Sequence, residues 1–368
     1  MSFSELMVGL ILVALAFAAG FLKGRSSRNA APPPKPQTAP PSAAVPGKEP
    51  MVPPRPTPGR SARPKPEPKL EPKRQAARAA GKPDLATVKR WGYQLQDLDV
   101  KQAAASSFDL LVVDYARDGA RDTALKPAEV ARLATRPDGS RRLVLAYLSI
   151  GEAESYRFYW RKQWERQPPG WLLGENPDWD QNYAVRFWDR DWQALLYGNP
   201  DAYLDQILAQ GFDGIYLDKC DVTEDLRTRE RKAASERTDL DADMVDLVRR
   251  LAAYGRARRP GFLVVMQNAE PLLERVELRR EIDAVAKEEL FYGLEAAEKP
   301  NDRDEIEWAR ERLDLMRKDG KPVFVVEYLG NAAKIAKAAE AARDYGYVLY
   351  TADKSRELDR LRDDPPVA

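Results

Sequence analysis

Eight short apolar segments recur between Trp91 and Tyr350, at 91–95, 110–115, 143–149, 214–217, 262–267, 284–289, 323–328 and 347–350. Most are separated by helix-forming sequence. Residues 239–256, for example, carry Leu240, Met244, Leu247 and Leu251 at helical spacing. Strands alternating with amphipathic helices over ~275 residues predict an α/β fold, a (β/α)8 TIM barrel, whose usual length is about 250 residues. A ninth candidate strand, 183–187, falls in a long aromatic insertion between Trp160 and Trp192, which we place after the third strand. An open, doubly wound sheet is the competing architecture, but no G-x-G-x-x-G or Walker pattern supports a nucleotide site.

A barrel gathers the C-terminal ends of its strands on one face. Those positions hold Asp114, Glu152, Asp218, Asn268, Glu288, Glu327 and Asp353. The most pointed is GFDGIYLDKCD (211–221). There Asp213-Gly214 turns into the apolar Ile215-Tyr216-Leu217, and Asp218 and Asp221 stand where the strand stops. Such a carboxylate can serve catalysis or simply cap the next helix.

Absences in the composition narrow the chemistry. The chain has no histidine and one cysteine, Cys220. Ser-His triads, histidine metal sites, an intramolecular disulfide and cysteine-based zinc centres are therefore excluded. Acid–base work falls to Asp, Glu, Lys or Tyr. Several carboxylates around one pocket suggest glycoside hydrolysis, with one as nucleophile or base and another as acid. Binding of Mg²⁺ or Ca²⁺ is the lesser alternative, without the spacing of an EF-hand loop. No cofactor is expected. Rings such as Tyr156, Trp160 and Trp179 could stack on sugar faces or pack the helical shell.

The net charge of +1 conceals an asymmetry. Residues 23–90 hold 16 Lys/Arg against 4 Asp/Glu, which leaves 43 against 53 over residues 91–368. An acidic folded domain argues against a nucleic-acid partner. We divide the chain into an apolar N-terminal segment (1–29), a disordered Pro/Ala/Lys-rich linker (30–84) and the barrel (85–368). The run at 6–22 is uncharged and suits a membrane anchor or a signal segment. Lys23, Arg25 and Arg28 behind it favour the cytoplasmic side for the rest of the chain. A polysaccharide substrate favours the opposite side. We expect a membrane-associated, extracytoplasmic domain, with orientation and oligomeric state left open.

The motifs carry a resemblance. WGYQLQ (91–96), VVDYARDG (112–119), LAYLSIGEAESYRFYW (145–160), NPDWDQNYAVRFWDRDWQ (176–193), GFDGIYLDKCD (211–221), MQNAE (266–270) and KEELFYG (287–293) come in order along the chain. Over about residues 88–355 the chain resembles glycoside hydrolase family 114, the endo-α-1,4-polygalactosaminidase-like barrels. The resemblance implies an endo-acting hydrolase of α-1,4-linked, galactosamine- or N-acetylgalactosamine-rich polysaccharide. It implies Asp218 as nucleophile or stabilising carboxylate, Glu288 as general acid/base and Asn268 as a sugar or carboxylate partner. Tyr93, Asp114, Tyr147, Glu152 and Asp221 would shape the pocket. Glu288 is preferred to the adjacent Glu289 by the register of the LFY after them. A tethered, non-catalytic polysaccharide-binding barrel is the alternative.

Overall fold

The computed structural model describes residues 84–363. The apolar segment 1–29 and all but the last residue of the linker lie outside the described residues. Among the described residues, no helix is long and apolar enough to cross a membrane.

The described residues form eleven strands: β1 (Trp91–Gln94), β2 (Leu110–Val113), β3 (Leu143–Ser149), β4 (Glu152–Glu154), β5 (Leu172–Glu175), β6 (Asn182–Val185), β7 (Gly214–Asp218), β8 (Leu263–Gln267), β9 (Ala284–Glu288), β10 (Val323–Tyr328) and β11 (Val348–Ala352). The helices are α1 (Val100–Ala105), α2 (Pro127–Leu133), α3 (Arg190–Leu196), α4 (Tyr203–Gln210), α5 (Val222–Thr228), α6 (Arg231–Ala234), α7 (Leu240–Arg258), α8 (Val276–Glu281), α9 (Arg303–Lys318) and α10 (Ala332–Tyr345). Eight strands form one sheet in the order β1-β2-β3-β7-β8-β9-β10-β11, and every pairing in it is parallel. The edges β1 and β11 pack side by side, and Trp91 Nε1 donates to the Val348 carbonyl at 3.0 Å. The result is a nearly closed TIM-type barrel.

The barrel closes around aromatic side chains. Trp91 packs against Tyr93, Tyr216, Phe324 and Tyr350, with ring centroids 5.4–6.3 Å apart. All five are almost fully buried. These large, stiff rings fill the interior, as barrel interiors require. On the outside, α7 buries Leu240, Met244, Leu247 and Leu251, the stripe read from the sequence. Its N-cap, Asp239, accepts from the Ala242 amide at 2.9 Å.

The ninth strand belongs to the expected insertion. Strands β4, β6 and β5 form a separate antiparallel sheet that rises from the C-terminal end of β3. Gly151 joins β3 to β4 because nothing larger fits. A Cβ there would lie 2.1 Å from the Lys219 carbonyl oxygen. The missing side chain lets the insertion sit directly against the turn after β7.

Candidate active site

Asp218, Gln267 and Glu288 are the last residues of β7, β8 and β9. Register brings these ends together: Leu217 pairs with Met266, Gln267 with Ala286 and Val326 with Glu288. Alternation along each strand then sends Tyr216 and Asp218, Gln267, Glu288 and Tyr328 to one side. The chain reverses immediately afterwards. Lys219, Asn268 and Glu289 have φ of 58°, 55° and 53°, a left-handed conformation that non-glycine residues rarely adopt and that clusters at functional sites.

One amide connects the two acids. Gln267 Nε2 donates to Asp218 Oδ1 at 3.0 Å and to Glu288 Oε2 at 2.9 Å. The Tyr216 hydroxyl donates to Gln267 Oε1 at 2.5 Å, which fixes the way the amide faces. Asp218 also accepts from the Lys219 amide at 2.7 Å and from the Tyr147 hydroxyl at 2.7 Å. Glu288 accepts from Asn268 Nδ2 at 3.1 Å and from the Tyr328 hydroxyl. Its own amide donates to Asn268 Oδ1 at 3.1 Å. Among the described residues, neither carboxylate forms an ion pair with Lys or Arg.

Burial, then the Asp218 charge, pushes the Glu288 carboxyl up to about 7, against the Tyr328 and Asn268 hydrogen bonds that favour its ionised form. An acid poised near neutrality can both give and take a proton. Tyr93 lies beside the pair. Burial, then the charges of Tyr216, Asp218 and Glu288, hold its hydroxyl well above the ordinary tyrosine value.

Glu152 and Asp221 gather around Lys219, the residue after Asp218. Glu152 Oε1 is 3.2 Å from Lys219 Nζ and accepts from Asn176 Nδ2 at 2.9 Å. Burial still outweighs these partners and raises its carboxyl. Asp221 precedes α5. Burial raises its carboxyl too, and its Oδ1 has no hydrogen-bond partner among the described residues. Among the described residues, no cluster of three or more acid or cysteine side chains could hold a metal ion.

Asp114 has a different environment. Both its oxygens accept from the Arg157 guanidinium, at 2.8 and 2.6 Å, and Arg157 Nε donates to Glu154 Oε2 at 2.7 Å. It faces a buried cation rather than open pocket.

Three other strand-end acids also depart from the expected convergence. Glu327 is fully buried and accepts from the Phe291 amide at 2.8 Å. Tyr328, one residue on, reaches Glu288 instead. Asp353 pairs with Arg360, and the Ser355 amide and Arg360 hold its carboxyl down at about 2. Glu289 lies beyond the strand, paired with Arg356. Sequence reasoning missed Gln267, Tyr216 and Tyr328. The available signal was period-two alternation carried back from the strand ends, which charge alone does not reveal.

The profile of glycoside-hydrolase family GH114 matches residues 71–364. An uncharacterised protein of Deinococcus radiodurans is 38% identical over 283 residues, covering 76% of this chain and 84% of its own. An uncharacterised protein of Methanocaldococcus jannaschii is 35% identical over 286 residues, covering 74% and 77%. Among solved structures, the glycoside hydrolase domain of PelA from Pseudomonas aeruginosa superposes with a TM-score of 0.54 at 19% identity, covering 74% of this chain and 97% of that one. At that identity the likeness speaks for the barrel fold alone.

Proposed function

The chain belongs to glycoside-hydrolase family GH114, and on that premise we propose an endo-acting hydrolase of α-1,4-linked polysaccharide rich in galactosamine or N-acetylgalactosamine. Asp218 is the nucleophile and Glu288 the acid/base. The observation that carries this reading is the single Gln267 amide shared by both carboxylates. Its two bond lengths hold the nearest oxygens within about 6 Å of each other. That suits double displacement, with carboxyls ~5–5.5 Å apart, better than inversion at ~6.5–9.5 Å.

In the first step Glu288 protonates the leaving glycosidic oxygen while Asp218 attacks the anomeric carbon and forms a glycosyl ester. Glu288, now ionised, takes a proton from water, which attacks the same carbon and releases Asp218. Donation from Tyr147 and the Lys219 amide orients Asp218. Burial and the Asp218 charge keep Glu288 protonated up to about 7. The acidic domain supports a cationic sugar, since opposite charge raises local substrate concentration. We also propose that the apolar run at 6–22 tethers the domain to a membrane with the barrel on the extracytoplasmic side. Protease protection in intact cells tests that placement.

The activity is tested with full-length protein and α-1,4-galactosamine oligosaccharides, acetylated and de-N-acetylated, tracking the first-formed anomer by proton NMR. Release of the α anomer is expected. A β product would overturn the double displacement. Binding without cleavage would favour a non-catalytic polysaccharide-binding barrel.

A further inference from the structure

Two large aromatic side chains stand exposed on the insertion: Trp179 at 53% and Tyr156 at 42%. Both positions lie at the same end of the small sheet. Trp179 occupies the turn between β5 and β6, where the Trp179 amide donates to the Asn176 carbonyl and the Asn182 amide to the Trp179 carbonyl. Tyr156 comes just after β4. The Ser155 amide donates to the Gln181 carbonyl at 2.8 Å, and Glu154 pairs with Asn182. Each ring is therefore within two residues of one backbone hydrogen bond.

This end of the sheet is firmly connected to the candidate active site. Asn176, three residues before Trp179, donates to Glu152, which pairs with Lys219 next to Asp218. The three steps from Glu152 to Ser155 carry the chain roughly 10 Å outward at strand spacing. Polar contacts also fix the hairpin to the segment after β7. Arg229 Nη2 lies 3.2 Å from Asp178 Oδ2, and the Gly174 amide donates to Glu230 at 3.0 Å. Tyr156 is held by its hydroxyl, which donates to Glu154 at 2.5 Å, and by the Arg157 guanidinium over its ring. Trp179 is flanked by the acids Asp178 and Asp180.

We propose that Trp179 and Tyr156 form a sugar-stacking platform that binds the substrate chain beyond the residues gripped by Asp218 and Glu288. The occupant is a distal segment of the same polymer, a polysaccharide bearing amines. Apolar sugar faces lie on the rings, and Asp180 on the rim faces a sugar ammonium. Both rings are exposed, and the hairpin that carries Trp179 is held to the segment after β7. The platform rests on the hydrolase reading for its substrate and deepens it, because it makes efficiency depend on chain length.

The test uses full-length protein with short and long de-N-acetylated α-1,4-galactosamine oligosaccharides. Trp179→Ala should raise KM roughly three- to tenfold for the long chains only, as expected for the loss of one stacked ring. The kcat on short chains should stay unchanged, and Trp179→Phe should restore much of the loss. Asp180→Asn should weaken binding of de-N-acetylated chains and leave acetylated ones unaffected. Calorimetric binding to the Glu288→Gln protein, with and without Trp179→Ala, separates the two claims. If no variant or wild type cleaves but binding of long chains still depends on Trp179, the hydrolase reading fails and the platform stands. If Trp179→Ala binds long chains like its parent, or loses short and long chains equally, the platform is overturned.

Discussion

Two carboxylate clusters sit at the C-terminal strand ends of this barrel and have different partners. In one, Asp218 and Glu288 share the neutral amide of Gln267 and no cation touches either. In the other, Asp114 and Glu154 clamp the buried guanidinium of Arg157. Burial raises a carboxyl in each, Glu288 in the first and Asp114 in the second. The partners differ: burial and then the Asp218 charge leave Glu288 poised at about 7, whereas Arg157 opposes the rise that burial causes at Asp114 and braces β2 against the turn after β4. The two are connected, because Arg157 also lies over the Tyr147 ring whose hydroxyl reaches Asp218.

The sharpest way to break this contrast is to remove one partner from each cluster. Glu288→Gln and Asp218→Asn should each lower kcat by ~10³-fold or more while leaving thermal stability intact. Arg157→Met should instead cost about 3–5 kcal/mol of stability, read by denaturant unfolding, because it strands two buried carboxylates. Equal effects on activity and stability in both clusters would erase the distinction.

Smaller changes sharpen it. Gln267→Met keeps the shape but removes the shared donor, and kcat should fall about 10²-fold with KM little altered, since the pair loses its spacing. If Glu288 is the general acid proposed above, the kcat/KM of the wild type should decline as pH rises through about 7, where its carboxyl loses its proton. Tyr328 donates to ionised Glu288, so Tyr328→Phe should move that alkaline limb upward.

The smallest effect on catalysis is expected outside both clusters. Burial raises Glu327 from the ordinary carboxylate range to about 8, against hydrogen bonds from the Phe291, Tyr292 and Leu290 amides. The fold thus favours its protonated form. Stability is full below the unfolded value of about 4.5 and is lost as pH rises towards 8. Glu327→Gln should flatten that decline, measured as Tm across the same range.

Much of this was legible in the chain. Apolar runs ending in polar residues gave the barrel, because a buried parallel strand needs apolar side chains on both faces. Asp218 could be picked out as a charge closing such a run, whereas the choice of Glu288 over the adjacent Glu289 came from the family resemblance. Gln267 and Tyr328 could not be found that way, since neither is charged and their roles come from register across β8, β9 and β10. Asp114 misled for the reverse reason. Its position matched the pattern, but Arg157, forty-three residues later, faces it only through the folded insertion. The left-handed turns at Lys219 and Glu289 also left no trace, because neither is a glycine or an asparagine, the residues that mark such turns.

Burial and then the charge of Asp218 keep the Glu288 carboxyl protonated up to about 7. Carboxyl ¹³C NMR on glutamate-labelled protein measures it directly, with Glu288→Gln assigning the resonance and Asp218→Asn removing the neighbouring charge. The Glu288 carboxyl should titrate at about 7 and move down when Asp218 is neutralised. A Glu288 that titrates in the ordinary carboxylate range, indifferent to Asp218, would contradict it.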